Sequence, residues 1–385
     1  MRRILNPFLL TLSAILAAGY AYVAWRLASS PSARWALALP FFMVWLVPAV
    51  YWVGERESAT KADELLHAVS YLCMGWLNFL VLFTLACDAL LGIAWAAGAD
   101  RLLALLDHVG PKIVFAASFG ALAIGLLAAF RGPRLRRVDI PLAGLPPAFE
   151  GLRIVQISDL HVGPTIGARY VRRVVEMSNA LDADLVVLTG DIVDGPVSRL
   201  APHVAPLSLL QARECVVFIL GNHDCYSGAG QWIIHFQTLG MRVLLNEHLL
   251  FERDGGRLVL GGVVDPALGL GEPGQGPRPD LAAAPEAGPA VRILLAHNPS
   301  LAPRAQEAGF DLQLSGHTHA GQFFPWTLAV RMAHAPHVSG LSRLGRMWVY
   351  VNAGTGTWGP PVRFGTEPEL TLLRLTSAAA MKETT

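Results

Sequence analysis

Metal-binding residue types recur at five points of the sequence, each directly after a short apolar run. The motifs, in chain order, are "SDLH", "TGDIVD", "GNHD", "AHNP" and "SGHTH". They offer carboxylate, amide and imidazole donors without thiolate, a mixture that favours Mn, Fe or Zn at a catalytic centre over a structural zinc site. Because all five apolar runs end in the same residue types, the motifs predict one shared metal site rather than five unrelated turns.

The spacing within two motifs suggests how the ligands converge. Asp159 and His161 are separated by one residue, as are His317 and His319, and alternate residues of an extended segment face the same side. Asp191 is best placed to bridge two ions, which at roughly 3.5–4 Å separation clamp a phosphoryl oxygen and activate a bridging water as hydroxide. The glycines expected to allow tight turns at the metals are Gly190, Gly221 and Gly316.

The apolar runs that precede the motifs have the length and composition of buried strands, and amphipathic helical stretches such as "GARYVRRVVEMSNAL" alternate with them. This alternation predicts an α/β layered catalytic domain over residues 151–376, with ligands at the carboxyl ends of strands and a disordered tail at 377–385. Residues 269–290 are rich in Gly and Pro, which favours a loop or a partly disordered insertion. That insertion is either a lid or a tolerated surface addition.

The ordered motif set resembles the calcineurin-like metallophosphoesterase family over residues 153–375. The resemblance implies a four-layer arrangement, a two-sheet β-sandwich flanked by helices, with two divalent metal ions at one edge. It implies that one ion is held by Asp159, His161, Asp191 and His319, and the other by Asp191, Asn222, His297 and His317. It also implies that His223 stabilises developing charge or protonates the leaving oxygen, with Asp224 orienting its ring. Asp194 is interpreted as a turn cap rather than a ligand.

Residues 352–370 are similar to the ending of a narrower, membrane-associated phosphodiesterase-like branch. Some members of that branch act on lipid-linked pyrophosphate, including UDP-diacylglucosamine, so a lipid-linked phosphate is one expected substrate. Arg363 is a candidate phosphate contact, with a structural ion pair as the alternative. His334 and His337 are candidate pocket residues.

The first 137 residues are expected to form a multi-span membrane region, followed by a linker at 138–150. Runs long enough to cross a hydrocarbon core of roughly 30 Å lie at residues 4–27, 35–53, 68–86 and 113–130, which predicts about four spans. Lys and Arg number eight on one side of these spans and four on the other, so both ends are expected in the cytoplasm. A cleaved signal peptide is the alternative for the first run.

Two charged features of this region allow two interpretations each. Asp88 interrupts an apolar run and is either a functional intramembrane carboxylate or an interfacial residue. The basic segment 131–137 is either a stop-transfer signal or a site for anionic headgroups.

Composition supports a membrane-bound protein, since 53% of residues are hydrophobic, and a net charge of +1 gives no reason to expect a nucleic-acid partner. The leading hypothesis is a multi-pass enzyme of the inner cell membrane. Its cytoplasmic domain would hydrolyse a phosphodiester or pyrophosphate bond, with the bilayer and a phosphorylated small molecule as partners. The alternatives are a phosphomonoesterase or phosphoprotein phosphatase with a soluble substrate, and a non-catalytic membrane sensor with a metal-binding domain.

Overall fold

A computed structural model describes residues 7–47, 50, 60–270 and 275–378, and the chain divides into two compact units. The first unit comprises Met1–Leu127 together with Gly359–Phe364, and the second comprises Ala128–Trp358 with Gly365–Thr385. The unit boundary therefore falls ten residues before the predicted end of the membrane region, after residue 127 instead of 137.

The N-terminal part of the first unit is helical where the structure describes it. Its helices are α1 (Pro7–Leu27), α2 (Pro31–Val44), α3 (Lys61–Ala96) and α4 (Asp100–Phe130). Thr60 begins α3 with a reciprocal capping box, in which its hydroxyl accepts from the Asp63 N–H and Asp63 accepts from the Thr60 N–H. Among the described residues, α3 and α4 are the helices long and apolar enough to cross a membrane, so the expectation of four spans is supported for two. The expected span at 35–53 runs partly outside the described residues.

Asp88 lies inside α3, where it is paired with groups from α1. The Tyr22 hydroxyl donates to Asp88 Oδ2 at 2.7 Å, and Arg26 Nε donates to Asp88 Oδ1 at 2.8 Å. An ion pair neutralises the carboxylate and lowers the cost of burying it among helices. The pairing with Arg26 gives Asp88 a structural role that neither interpretation from sequence included.

The segment Gly359–Phe364 packs within this helical unit. The Phe364 ring lies 5.2 Å from that of Phe79, and the Arg363 N–H donates to the carbonyl of Gly125 at 3.0 Å. A Cβ at Gly125 would come within 2.5 Å of Val362, so glycine is required for this close approach.

The second unit contains two six-stranded sheets in its described residues. The strands are β1 (Arg134–Leu142), β2 (Arg153–Ile157), β3 (Leu185–Thr189), β4 (Cys215–Ile219), β5 (Arg242–Val243), β6 (Glu247–Arg253), β7 (Gly256–Gly262), β8 (Val291–Leu295), β9 (Leu312–Ser315), β10 (Gly340–Leu344), β11 (Met347–Val351) and β12 (Glu369–Ser377). The first sheet has the order β1-β12-β2-β3-β4-β5 and the second the order β10-β11-β9-β8-β7-β6.

The helices of the second unit are α5 (Ala168–Asn179), α6 (Val197–Val204), α7 (Asn222–Tyr226), α8 (Ala229–Thr238), α9 (Pro279–Ala282), α10 (Ala302–Glu307) and α11 (Trp326–His334). Of these, α5, α6 and α8 cover the outer face of the first sheet, and α9 and α10 cover that of the second. In β3, Leu185 and Val187 belong to the core between the sheets, whereas Val186 and Leu188 belong to the core beneath the helices. This alternation produces four layers, helix–sheet–sheet–helix, and the predicted α/β architecture is confirmed. Both sheets contain parallel and antiparallel pairs.

Residues 134–142, expected to end the membrane region and begin the linker, instead form β1 at the edge of the first sheet. β1 pairs with β12 in parallel, and its basic side chains meet acidic partners there. Arg134 lies 3.0 Å from Glu367 and Arg136 lies 3.3 Å from Glu369. Charged side chains are typical of an edge strand, so these arginines are accounted for by sheet pairing.

The Gly- and Pro-rich stretch 269–290 is more ordered than predicted. Residues 271–274 lie outside the described part, but α9 follows, and Ala282 and Ala284 are fully buried against the second sheet. The alanines of this stretch therefore fill core space, because small side chains allow the backbone to pack close to the strands. The predicted tail lies outside the described residues from 379 onward.

Candidate metal centre

The strands bring the five motifs to one edge of the second unit. β2, β3 and β4 pair in parallel in the first sheet, and β7, β8 and β9 do so in the second. Parallel strands present their carboxyl ends at the same edge, which is where side chains for a site collect in open α/β sheets. Each motif follows the last residue of one of these strands, so the loops meet there.

The first group of candidate ligands is Asp159, His161 and His319, whose donor atoms lie within 4.8 Å of one another. His161 Nε2 and His319 Nε2 are 2.9 Å apart, and His319 Nε2 is 3.3 Å from Asp159 Oδ1. All three residues are buried. Two imidazole nitrogens and a carboxylate oxygen directed at one point form a donor set suited to a divalent cation.

The second group is Asp191, His297 and His317, also within 4.8 Å. His297 Nδ1 lies 2.8 Å from the carbonyl of Thr189, to which its N–H donates, and this leaves Nε2 directed at Asp191 Oδ2, 3.1 Å away. Asn222 joins the group, because its Oδ1 is 3.0 Å from His317 Nδ1. The structure thus gathers the seven predicted ligand residues into two adjacent sets, with Asp191 also 3.9 Å from His161 of the first set.

The backbone at these ligands is not the extended conformation used to predict their convergence. Asp159, His161, Asp191, His317 and His319 all have positive φ, between 50° and 71°. Left-handed residues turn the chain sharply, so Asp159 and His161 reach one pocket through a curled loop. Such a conformation costs of order 1–3 kcal/mol for a residue other than glycine, and it persists because surrounding hydrogen bonds hold it.

Two glycines leave room for the carboxylates. A Cβ at Gly316 would lie 1.9 Å from Ser158 Oγ and 2.1 Å from Asp159 Oδ2. A Cβ at Gly221 would lie 2.2 Å from Asp191 Oδ1. A Cβ atom at either position would clash with these oxygens, because the loop backbone passes too close to them. Glycine, which has no Cβ, fits both positions.

Asp194, rather than Asp224, is the carboxylate that lies beside the His223 ring. One oxygen of Asp194, Oδ1, is 2.8 Å from His223 Nδ1 and 2.9 Å from His161 Nδ1. Asp194 therefore orients two imidazoles and is more than a turn cap. Asp224 instead accepts four backbone N–H bonds, from Asp191, Ile192, Val193 and Gly221. Its carboxylate joins the β3 and β4 loops and orients backbone rather than the His223 ring.

The charges of the site fit bound cations. Burial disfavours charge on His161, yet Asp194, Asp191 and Asp159 outweigh this effect and raise its pKa to about 9. His297 also has a pKa well above its ordinary value, since Asp191 and Asp159 overcome its burial. Two buried carboxylates thus draw positive charge onto neighbouring imidazoles. A divalent ion would supply that charge directly, and His297 Nε2 and Asp191 Oδ2, which face each other at 3.1 Å, are the atoms placed to receive it.

Three features of the site were not predicted. Asp265 follows β7, is buried, and has one oxygen without a hydrogen-bond partner among the described residues; burial raises its pKa, and His297 opposes the rise. The segment after β11 supports the Asp159 loop, since Gly356 N–H donates to the Asp159 carbonyl at 2.9 Å. The Gln322 side chain makes two hydrogen bonds to the Trp358 backbone: its Nε2 donates to the carbonyl and its Oε1 accepts from the N–H. The Trp358 ring lies 5.6 Å from that of His223.

The remaining predicted residues divide between the two units. His334 lies in α11 with its ring 5.5 Å from that of His317, so it borders the second ligand group. His337 Nδ1 is 2.7 Å from Ser342 Oγ and links the segment after α11 to β10. Arg363 belongs to the helical unit, where its side chain is buried, instead of the unit that carries the metal ligands.

Comparisons with known proteins agree with this geometry. A family model described as calcineurin-like phosphoesterase matches residues 152–321. A transmembrane protein with metallophosphoesterase domain from Bos taurus is 34% identical over 330 residues, which cover 80% of this chain and 74% of that protein. The protein of the same name from Danio rerio is 38% identical over 262 residues, 66% of this chain and 60% of that protein. An uncharacterized metallophosphoesterase from Campylobacter jejuni is 27% identical over 357 residues, covering 87% and 88%.

Two of these relatives are named transmembrane proteins, and α3 and α4 of this chain are long and apolar enough to cross a membrane. Both observations indicate that the chain associates with a membrane. The family model spans all five motifs, and the Bos taurus relative is covered over 74% of its length. The chain therefore belongs to the calcineurin-like phosphoesterase family, a family of metal-dependent phosphoric ester hydrolases.

Proposed function

We propose that this chain is a multi-pass membrane phosphoesterase that hydrolyses a phosphodiester or pyrophosphate bond on the cytoplasmic side of the cell membrane. The observation that carries the proposal is the pair of adjacent donor sets, each within 4.8 Å, at the carboxyl ends of parallel strands. A structural metal site needs one closed set of ligands, whereas two sets that share an edge suit two-metal hydrolysis.

Two divalent ions, Mn, Fe or Zn, would be held by these residues. Asp159, His161, Asp191 and His319 would hold one, and Asp191, Asn222, His297 and His317 the other. When bound, such ions polarise a phosphoryl oxygen and lower the pKa of a water that serves as nucleophile.

His223 is proposed to donate a proton or a hydrogen bond to the leaving oxygen. Its Nδ1 is engaged by Asp194, so its Nε2 is the nitrogen available to substrate. The ring is partly exposed and lies beside Trp358, as expected for a group that meets an entering ligand. Asp224 is proposed to act as a positioning residue, because it holds the N–H groups of the Asp191 loop.

A lipid-linked phosphate is the proposed substrate class, with UDP-diacylglucosamine as one member to test. Attachment to the membrane raises the effective concentration of the enzyme toward membrane-resident substrates and gives little benefit for soluble ones. Arg363 is proposed as a phosphate contact.

The proposal is tested with the purified full-length chain in detergent and added manganese. We expect hydrolysis of bis-nitrophenyl phosphate that exceeds hydrolysis of the mononitrophenyl ester, and loss of both in Asp191→Ala. Leu281→Glu, at an exposed position of α9, is the matched control and should retain activity. Absence of hydrolysis across phosphodiesters and pyrophosphates, with metal bound, would overturn the proposal in favour of a sensor. A preference for monoesters would favour a soluble phosphomonoester substrate.

The substrate class is tested by lipid profiling of cells depleted of the protein, with an Asp191→Ala copy as control. Accumulation of one phosphorylated lipid in both cases would identify the substrate. An unchanged lipid profile would contradict the lipid-linked proposal.

A further inference from the structure

Helix α11 leaves its apolar side chains in solvent. All nine of its residues are described and none of them is buried, although the sequence "WTLAVRMAH" is mostly apolar. Met332 is 88% exposed, Leu328 52% and Trp326 51%. A surface helix of a globular domain normally turns such residues toward the core. This helix does the reverse, with Leu328 and Met332, one turn apart, on its outward face.

The inward face of α11 is directed at the metal centre. Thr327, Val330 and His334 are the partly buried positions of the helix, and they recur at the spacing of one helical face. The His334 ring contacts that of His317 at 5.5 Å, so the last turn borders a candidate ligand. The outward apolar face and the donor set therefore belong to the same short stretch of chain.

The surrounding sequence is basic and lacks acidic residues. Residues 312–358 contain three arginines and no Asp or Glu. Arg331 on α11 is exposed, and so are Arg343 and Arg346 in the β10–β11 hairpin that follows. His337 connects the two elements through its 2.7 Å bond to Ser342, the neighbour of Arg343. Exposed arginines near a negatively charged bilayer each contribute about 1 kcal/mol of attraction.

We propose that α11 docks on an anionic lipid surface, with Leu328 and Met332 in the boundary between headgroups and acyl chains. Apolar residues on one face with arginine and tryptophan at its margins are the composition of interfacial helices, which insert roughly 5–10 Å below the headgroups. The inference goes beyond the proposed function, because it names the surface by which the metal-site domain meets the membrane, whatever the substrate. Docking would place His317 and His334 next to the headgroup layer.

A lipid bilayer explains these observations better than a protein partner does. The chain is already membrane-associated, so lipid headgroups are present at high local concentration around this domain. The three exposed arginines complement anionic lipid, whereas docking between two copies would bring like charges together.

The test uses the full chain with a fluorescent label at Met332→Cys, reconstituted in vesicles of phosphatidylcholine and phosphatidylglycerol. The native cysteines to be replaced by alanine are Cys73, Cys87, Cys215 and Cys225, all free thiols. We expect a blue-shifted NBD emission and quenching by doxyl lipids, stronger for a doxyl group near the headgroup than for one near the chain end. A label at Leu281→Cys, also exposed but on α9, should show neither effect.

Three outcomes decide the matter. Quenching at 332 and none at 281 supports docking. No quenching at 332 overturns it, and a blue shift without lipid quenching overturns it in favour of a protein partner or a second copy. Met332→Glu in a chain labelled at Leu328→Cys should abolish quenching while the melting temperature stays unchanged, because the side chain is 88% exposed.

If the cysteine-free background does not fold, hydrogen exchange in the unmodified chain gives the same answer. The amides of residues 324–334 should exchange more slowly in nanodiscs containing phosphatidylglycerol than in nanodiscs of phosphatidylcholine alone. Equal rates would overturn the proposal. Both readouts are independent of hydrolysis, so a failure here is distinguishable from a failure of the Asp191→Ala assay.

Discussion

Replacing Asp194 and Asp224 separately by asparagine tests the division of roles seen at the site. Both changes keep the shape of the side chain and remove its charge. Asp194 holds two imidazoles through one oxygen, whereas Asp224 holds four backbone N–H groups through two. The first variant should therefore damage catalysis and the second should damage the fold.

The expected loss in Asp194→Asn follows from its two hydrogen bonds. A bond to a charged group is worth about 1.5–3 kcal/mol and a neutral one about 0.5–1.5, so each bond weakens by about 1 kcal/mol. Two bonds give about 2 kcal/mol, which corresponds to roughly a 30-fold loss of turnover. The amide oxygen still accepts at both rings and no buried donor loses its acceptor, so the free energy of unfolding should fall by no more than about 2 kcal/mol.

The expected effect of Asp224→Asn is on stability, because one of its oxygens becomes an NH₂ group. Asp224 Oδ2 accepts from the Asp191 and Gly221 N–H groups, and Oδ1 accepts from Ile192 and Val193. Either orientation of the amide leaves two buried donors without an acceptor, at about 1–3 kcal/mol each. For a domain of this size the melting temperature should fall by roughly 5–20 °C.

The assay measures kcat and KM for bis-nitrophenyl phosphate with saturating manganese, and thermal unfolding of the same samples. Asp194→Asn should lower kcat, with a smaller fall in melting temperature than Asp224→Asn shows. Asp224→Asn should melt early and, below its transition, lose less activity than Asp194→Asn. The opposite result would be a roughly 30-fold lower kcat at unchanged melting temperature in Asp224→Asn, with no effect in Asp194→Asn. That result would refute the conclusion that Asp194 orients the His223 ring.

Three further changes have expected outcomes. Gly316→Ala forces a Cβ to within 1.9 Å of Ser158 Oγ, and overpacking of this kind costs typically about 1–3 kcal/mol. The melting temperature and the metal content of the variant should therefore both fall. Normal values of both would contradict the close approach. Chelation of bound metal should lower stability by about 2.7 kcal/mol relative to metal at 100-fold its Kd, so unfolding with and without EDTA should differ, and no difference would mean that the donor sets hold no ion. Arg374→Ala breaks the 2.8 Å pair with Asp139, but both side chains are more than half exposed, so the loss should stay below about 1 kcal/mol; a larger loss in denaturant unfolding would show that this pair is not a simple surface contact.

Much of the catalytic domain could be predicted because its strands are short apolar runs that end in polar ligands. Runs such as "RIVQI" and "LVVLT" correspond to β2 and β3, and the motifs that follow them do converge. β1 was missed because "RLRRVDIPL" carries its charges for pairing with β12, a partner more than 200 residues away in sequence. No local pattern distinguishes such an edge strand from a basic stop-transfer segment.

Contacts between side chains at the site were harder to predict than residue types. Asp224 is adjacent to His223 in sequence, which suggested that they pair, yet α7 turns Asp224 back toward the β3 loop. Asp194 reaches His223 from another strand end. In sequence Arg363 lies between β11 and β12 of the catalytic domain, but it packs in the helical unit. Gly125 allows this because it has no side chain to block the backbone of residues 362–363.

The left-handed backbone at the five ligands, Asp159, His161, Asp191, His317 and His319, limits how this site can change during evolution. A replacement there must both supply a donor atom and tolerate positive φ. Asp, Asn and His are the side chains that combine metal binding with tolerance of that conformation. A lineage that gave up hydrolysis would be released from the first demand but not from the second. Its decayed site is therefore expected to contain glycine or asparagine at these positions rather than alanine or serine.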